Sequence, residues 1–160
     1  MPDTNLRTLS DDFLHDLLEQ AQRAPRGRIN YNLHAADEPV QRMINAVTPG
    51  SYITPHKHEN PDKVELINPL IGKIAMYQFD AEGNVTGLHV VAAAGALRVV
   101  DIPPRTYHTF FALTPAAVLE IIQGPYDART HKKFAPWAPR EGDAEAQGYM
   151  DRLLALVDER

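Results

Sequence analysis

The chain has 160 residues and a formal charge of −5, a length that carries one hydrophobic core rather than two. Hydrophobic residues make up 44% and charged residues 23%, which excludes the weakly apolar, highly charged composition of disordered chains. The acidic balance and scattered basic residues argue against a nucleic-acid partner, no run reaches the roughly 18 to 20 apolar residues of a membrane span, and Met1 to Ser10 lack a secretory pattern, so a cytoplasmic location is expected.

Ser10 with Asp11 and Asp12 supplies an N-cap and an acidic first turn, and Phe13, Leu14, Leu17, Leu18 and Ala21 follow at helical spacing. This pattern predicts a helix from about Ser10 to Gln22. Pro25 ends it, and Arg26 to His34 reads as a polar entry segment. From about 40 to 123 eight short β-type stretches alternate with turn residues: Met43–Val47, Ser51–His56, Val64–Asn68, Lys73–Phe79, Thr86–Ala92, Ala96–Ile102, His108–Ala112 and Ala117–Ile122. A barrel or sandwich is expected. Asp80 to Asn84 reads as a hairpin turn, and after Tyr126 a proline-rich stretch leads to a second helix predicted from about Asp143 to Asp158.

The densest chemistry lies between Gly50 and Gly72. In an extended strand His56 and His58 point to one face about 7 Å apart, a gap two imidazoles close onto one ion. Glu59 to Asp62 reads as a turn, so Glu65 is expected to face the two histidines from a neighbouring, returning strand. His108 offers a fourth ligand, delivered by the stiff corner Pro103-Pro104-Arg105-Thr106-Tyr107. Three imidazoles and one carboxylate suit a divalent transition-metal ion, Zn, Fe, Mn, Co or Ni. With no cysteine in the chain, thiolate ligands are excluded. Asp62 is a competitor for Glu65, disfavoured because it follows Pro61 inside the turn. His15 and His131 read as solvated, His131 because Arg129, Thr130, Lys132 and Lys133 surround it; His89 reads as a core or surface histidine.

The spacing Gly50-x5-His56-x-His58-x6-Glu65-x6-Gly72 resembles the first motif of the cupin superfamily, with two or three extra residues before the glutamate. Pro103-x-Arg105-x2-His108 resembles part of the second, with Arg105 where glycine is usual. A narrower resemblance, to WbuC-type cupin-fold metalloproteins found with O-antigen polysaccharide biosynthesis, runs through Arg26–His34, Pro39–Met43, Tyr52–His58, Tyr107–Thr109, Glu120–Tyr126 and Phe134–Pro139. It implies an all-β, cupin-type double-stranded β-helix (jelly-roll) barrel in one domain with short terminal helices. It also implies a metal on His56, His58, Glu65 and His108.

Arg28, Asn30, His34, Gln41 and Arg42 lie near the start of that barrel, where they either meet a ligand or pin the N-terminal segment. Cations at Arg28, Arg42, Lys57 and Arg105 are expected either to hold an anionic, oxygen-rich small molecule or to be paired on the surface. Tyr107, Tyr52 and Glu120 are candidates for proton transfer or, alternatively, barrel filling. The expected function is a metal-dependent isomerase or epimerase on a sugar or sugar acid, with an Fe-dependent dioxygenase or a non-catalytic binding module as alternatives. A homodimer is expected, to cover strand edges.

Overall fold

The computed structural model describes residues 5–158. Ser10 caps α1 (Asp11–Arg23) by accepting the Phe13 N–H at 3.2 Å, and Ala24 takes extended backbone at its end, just before Pro25. Ten strands follow: β1 (Arg28–Asn32), β2 (Val40–Val47), β3 (His56–Lys57), β4 (Glu65–Ile71), β5 (Lys73–Phe79), β6 (Val85–Ala92), β7 (Val100–Ile102), β8 (Tyr107–Ala112), β9 (Ala116–Gln123) and β10 (Lys133–Phe134). The last element is α2 (Ala146–Asp158). The strands form two antiparallel sheets, ordered β1-β2-β9-β4-β7 and β10-β3-β8-β5-β6, the cupin-type arrangement.

Two of these strands were not expected. Arg28–Asn32 and Lys133–Phe134 are too polar to read as strands, but each sits at the edge of its sheet with a single partner, β2 and β3 respectively, where one face stays wet. The expected strand from Ser51 to His56 joins a ladder only at His56 and Lys57. The second helix starts at Ala146 rather than Asp143 because Arg140 to Glu145 are taken up in turns, with the Asp143 carboxylate accepting the Arg140 N–H at 2.7 Å.

Strand alternation sorts side chains into three apolar layers. Between the sheets lie Val47, Ile67 and Val118 from one and Ile74, Met76 and Phe110 from the other. The outward residues Ile44, Ala46 and Ala117 receive Leu14, Leu17, Leu18 and Ala21 of α1. On the opposite face Tyr77, Phe79 and Phe111 receive Met150 and Leu153 of α2. Gly72 joins β4 to β5 at φ +75°, and a Cβ there would stand 2.1 Å from the Pro115 carbonyl oxygen, so only glycine fits. No helix among the described residues is long and apolar enough to cross a membrane.

Candidate metal centre

One end of the sandwich, left open between the sheets, holds a cavity of about 490 Å³. Parity decides what reaches it. On β2, Gln41, Met43, Asn45 and Val47 line the cavity while Ile44 and Ala46 face α1; on β1, Arg28, Asn30 and Asn32 line it. Glu120 on β9 and His108 and Phe110 on β8 complete the walls, with His56 and Glu65 among them.

His56 of β3 lies directly opposite His108 of β8 in the ladder, with ring centroids 4.7 Å apart. Glu65 arrives from β4, which belongs to the opposite sheet. The expectation that it returns on a strand neighbouring the histidines is therefore corrected: the carboxylate closes the site across the sandwich. The four ligand atoms of His56, His58, Glu65 and His108 lie within 4.8 Å of one another, and all four residues are buried. Asp62 takes no part, being half-exposed and paired with Arg105 at 2.9 Å. Arg105 adopts the left-handed conformation, φ +64°, that glycine would otherwise supply at this corner, and its N–H bonds the His58 carbonyl at 3.0 Å.

Each imidazole is held through Nδ1 by a backbone carbonyl: His56 by Thr54 at 2.9 Å, His58 by His131 at 2.5 Å and His108 by Thr106 at 2.9 Å. A carbonyl only accepts, so Nδ1 carries the proton and Nε2 presents a lone pair. The Nε2 atoms of His58 and His108 stand 2.9 and 3.0 Å from the same Glu65 oxygen, and His108 Nε2 is buried without a hydrogen-bond partner. Lone pairs facing a carboxylate repel unless a cation lies between them, and ~3 Å is the separation of neighbouring ligand atoms around an ion bonded at about 2.1 Å. The residues present therefore fit a metal ion. Burial opposes ionisation of Glu65, but positive charge on the His108 and His58 side outweighs it and holds the carboxyl well below the usual range; with Nε2 unprotonated, a bound cation is what would supply that charge. Burial keeps His56 well below the usual imidazole value and therefore neutral.

Beside the centre, Asn30 donates to Asn45 Oδ1 and Asn45 donates to Glu120, both at 2.5 Å. Burial, then the charge of Glu65, pushes the Glu120 carboxyl up to about 7, against the opposing effects of Lys132 and Asn45. A group poised there can hold or release a proton near neutral pH.

The remaining sequence candidates divide sharply. Gln41, Asn30, His34 and Arg28 line the cavity, although His34 is engaged through Nδ1 with the backbone of Arg42 at 2.6 and 2.8 Å, and Arg28 with Glu141 at 2.6 Å. Tyr107 alternates with His108 and so faces away from the cavity, packing on Trp137 at 5.8 Å beneath the Lys57 ammonium. Tyr52 points into the α2 layer, its hydroxyl donating to the Pro139 carbonyl at 2.7 Å. Lys57 pairs with Glu59 at 2.8 Å, and Arg42 pairs with Glu38. Of the two readings for Arg28, Arg42, Lys57 and Arg105, the structure has the pairing one: each meets a carboxylate, Glu141, Glu38, Glu59 and Asp62 respectively. Three residues escaped sequence reasoning. Asn45 could have been found by its two-residue spacing from Gln41 and Met43. His131 and Lys132 are carried over the site by the segment after Tyr126; His131 is buried with its ring 5.1 Å from that of His58, not solvated, and nothing in the local sequence signals this.

The two sheets and the buried three-histidine, one-glutamate cluster define a cupin-fold protein equipped to hold a metal ion. The chain belongs to the family DUF6016, a domain of unknown function, whose match covers residues 9–91, just over half of the chain. No curated protein matches it. Among solved structures it is similar to oxalate oxidase in complex with the substrate analogue glycolate, at 19% identity and TM-score 0.54, over 71% of this chain and 57% of that one. It is similar to the capsular polysaccharide assembling protein CapF from Staphylococcus aureus, at 20% identity and TM-score 0.58, over 69% and 32%. Oxalate decarboxylase of B. subtilis follows at 14% identity and TM-score 0.53, over 67% and 28%. The chain thus spans little more than half of the oxalate oxidase and about a third of CapF. At these identities the likeness establishes the fold alone.

Proposed function

We propose that this chain is a metal-dependent enzyme of the isomerase or epimerase kind, acting on a small sugar or sugar acid in bacterial surface-polysaccharide metabolism. The observation that carries it is the convergence of three Nε2 lone pairs and a carboxylate, with no proton donor among them, at the wall of a polar cavity. His56, His58, Glu65 and His108 would hold one divalent transition-metal ion. Such an ion polarises hydroxyl and carbonyl oxygens and lowers the pKa of the hydrogens beside them.

The chain's own part is to bind, orient and move a proton. Glu120, fixed by Asn45 in the cavity wall beside the centre, is the residue for taking a proton from carbon and returning it. Asn30 holds Asn45, and Gln41 stands in the wall with its amide orientation fixed by the carbonyls of Ala35, Ala36 and Glu38. A cavity of about 490 Å³ suits a compact, oxygen-rich molecule. The resemblance to WbuC-type proteins and the fold shared with CapF, a capsular polysaccharide assembling protein, support the polysaccharide setting. The glycolate complex of oxalate oxidase supports a small oxygen-bearing ligand.

The test is hydrogen exchange into ligand carbon. Metal-loaded protein in D2O is incubated with a panel of aldonates, uronates and nucleotide sugars. Deuterium at a carbon next to a carbonyl, abolished by Glu120→Gln, is expected. Binding without exchange across the panel would make the chain a binding module instead.

A further inference from the structure

Three cations line the cavity: Arg26, Arg28 and Lys132. Arg28 is committed to Glu141 at 2.6 Å, to Ser51 at 3.1 Å and to the Tyr52 carbonyl at 3.0 Å, and Arg26, largely exposed, reaches the same carboxylate only at 3.5 Å. Lys132 is half-buried and makes no hydrogen bond or ion pair with any described residue, although its neighbours Arg129 and Lys133 are each paired, with Asp127 and Glu59. It lines the cavity, and its charge is felt by His56, His108, Glu120 and His131 around that cavity. The segment that bears it is fixed over the site, since the His131 carbonyl holds His58 and β10 pairs with β3. A second group also lacks a partner: Gln41, 1% exposed, has its Nε2 on backbone carbonyls and its Oε1 buried with no donor. An unpaired buried acceptor is costly unless a ligand or water supplies a donor.

We infer that Lys132 anchors the carboxylate of a small hydroxy acid, whose hydroxyl supplies the donor that Gln41 Oε1 lacks. This deepens the small-molecule reading of the same cavity and rests on it. A carboxylate is favoured over a phosphate because its single negative charge matches the one unpaired ammonium, while the Arg28 guanidinium is held by Glu141 and the nearby Glu65 and Glu141 carboxylates oppose a second negative charge.

Binding of D-glycerate, glycerol and glycerol 1-phosphate is measured by calorimetry on the full chain, both stripped of metal and loaded with Zn(II) or Mn(II). Wild type is expected to bind glycerate at least about tenfold more tightly than glycerol or glycerol 1-phosphate. Lys132→Met is expected to weaken glycerate about tenfold in both forms, with metal content and melting temperature unchanged and glycerol binding unaffected. Lys133→Met, which removes a paired surface cation, should change glycerate affinity less than about twofold. Equal glycerate affinity in wild type and Lys132→Met overturns the assignment, as does absence of glycerate binding in both forms of wild type. Preferential, Lys132-dependent binding of glycerol 1-phosphate overturns the carboxylate class. A chain that takes up no metal yet still loses glycerate on Lys132→Met would refute the metal reading and leave the anchor standing, so the two failures are distinguishable.

Discussion

His56 and His108 face each other across β3 and β8, and each ring bonds through Nδ1 to the carbonyl of the threonine two residues before it, Thr54 and Thr106. The two strands therefore fix the same tautomer on both sides of the ladder by the same local device. Replacing either histidine by Ala should lower metal affinity by more than about 100-fold, whereas His15→Ala, on the exposed face of α1, should leave it intact. Elemental analysis after dialysis reads this directly; equal metal content in all three variants would refute the ligand set.

The carboxyl of Glu120 makes metal-free stability depend on pH. Burial, followed by the charge of Glu65, raises its folded pKa to about 7 from the ordinary 4.5. At Glu120 the folded chain thus keeps a proton that the unfolded chain releases, so the contribution of this residue to stability falls as pH rises from about 4.5 to about 7 and is flat beyond. The loss is on the order of 3 kcal/mol. The buried His56 and His131, held below the usual imidazole value, contribute stability that rises with pH up to about 6.5. Glu120→Gln should remove the fall, and denaturant titrations of apo-protein at pH 5 and pH 8 check it. A difference in stability between pH 5 and pH 8 that is the same in variant and wild type would refute the assignment to Glu120.

Gly72→Ala should destabilise the fold by on the order of 2 to 4 kcal/mol, because the residue sits at φ +75° and its Cβ would meet a backbone oxygen at 2.1 Å. Gly142 also has positive φ, 91°, but open space around it, and its substitution by Ala should cost only about 1 kcal/mol. Thermal unfolding of the pair separates backbone strain from the steric clash.

Self-association is expected at micromolar concentration. The edge strand β7 carries Val99 beside it at 53% exposure and Leu97 at 49%, and apolar residues at an unpaired edge invite a second copy. Sedimentation velocity should show a particle of twice 17.9 kDa; only monomer at all concentrations would contradict this.

Much of the site was legible because metal ligation leaves rigid spacing: the two-residue interval between His56 and His58 puts both on one face of extended chain, while the choice of Glu65 came from the cupin resemblance, which has six residues between it and Gly72. The central strands were legible for the same reason, since buried faces impose apolar alternation. The edge strands were not, because Arg28–Asn32 and Lys133–Phe134 each pair on one side only. Tyr107, Lys57 and Arg42 lie off the cavity for one shared reason. Each neighbours a residue that does reach the interior, and the period of two that sends His108, His56 or Gln41 inward sends its neighbour out. Cation pairing was also beyond local reading, since Arg28 finds Glu141 113 positions away.

The most direct test of the metal-centre assignment is anomalous diffraction from crystals of the metal-loaded chain, collected at the absorption edge of the bound metal. One peak is expected at about 2.0 to 2.3 Å from the Nε2 atoms of His56, His58 and His108 and from a Glu65 oxygen, with His131 remaining outside bonding distance. A peak centred on any other set of residues, or full metal occupancy in a His58→Ala crystal, would contradict it.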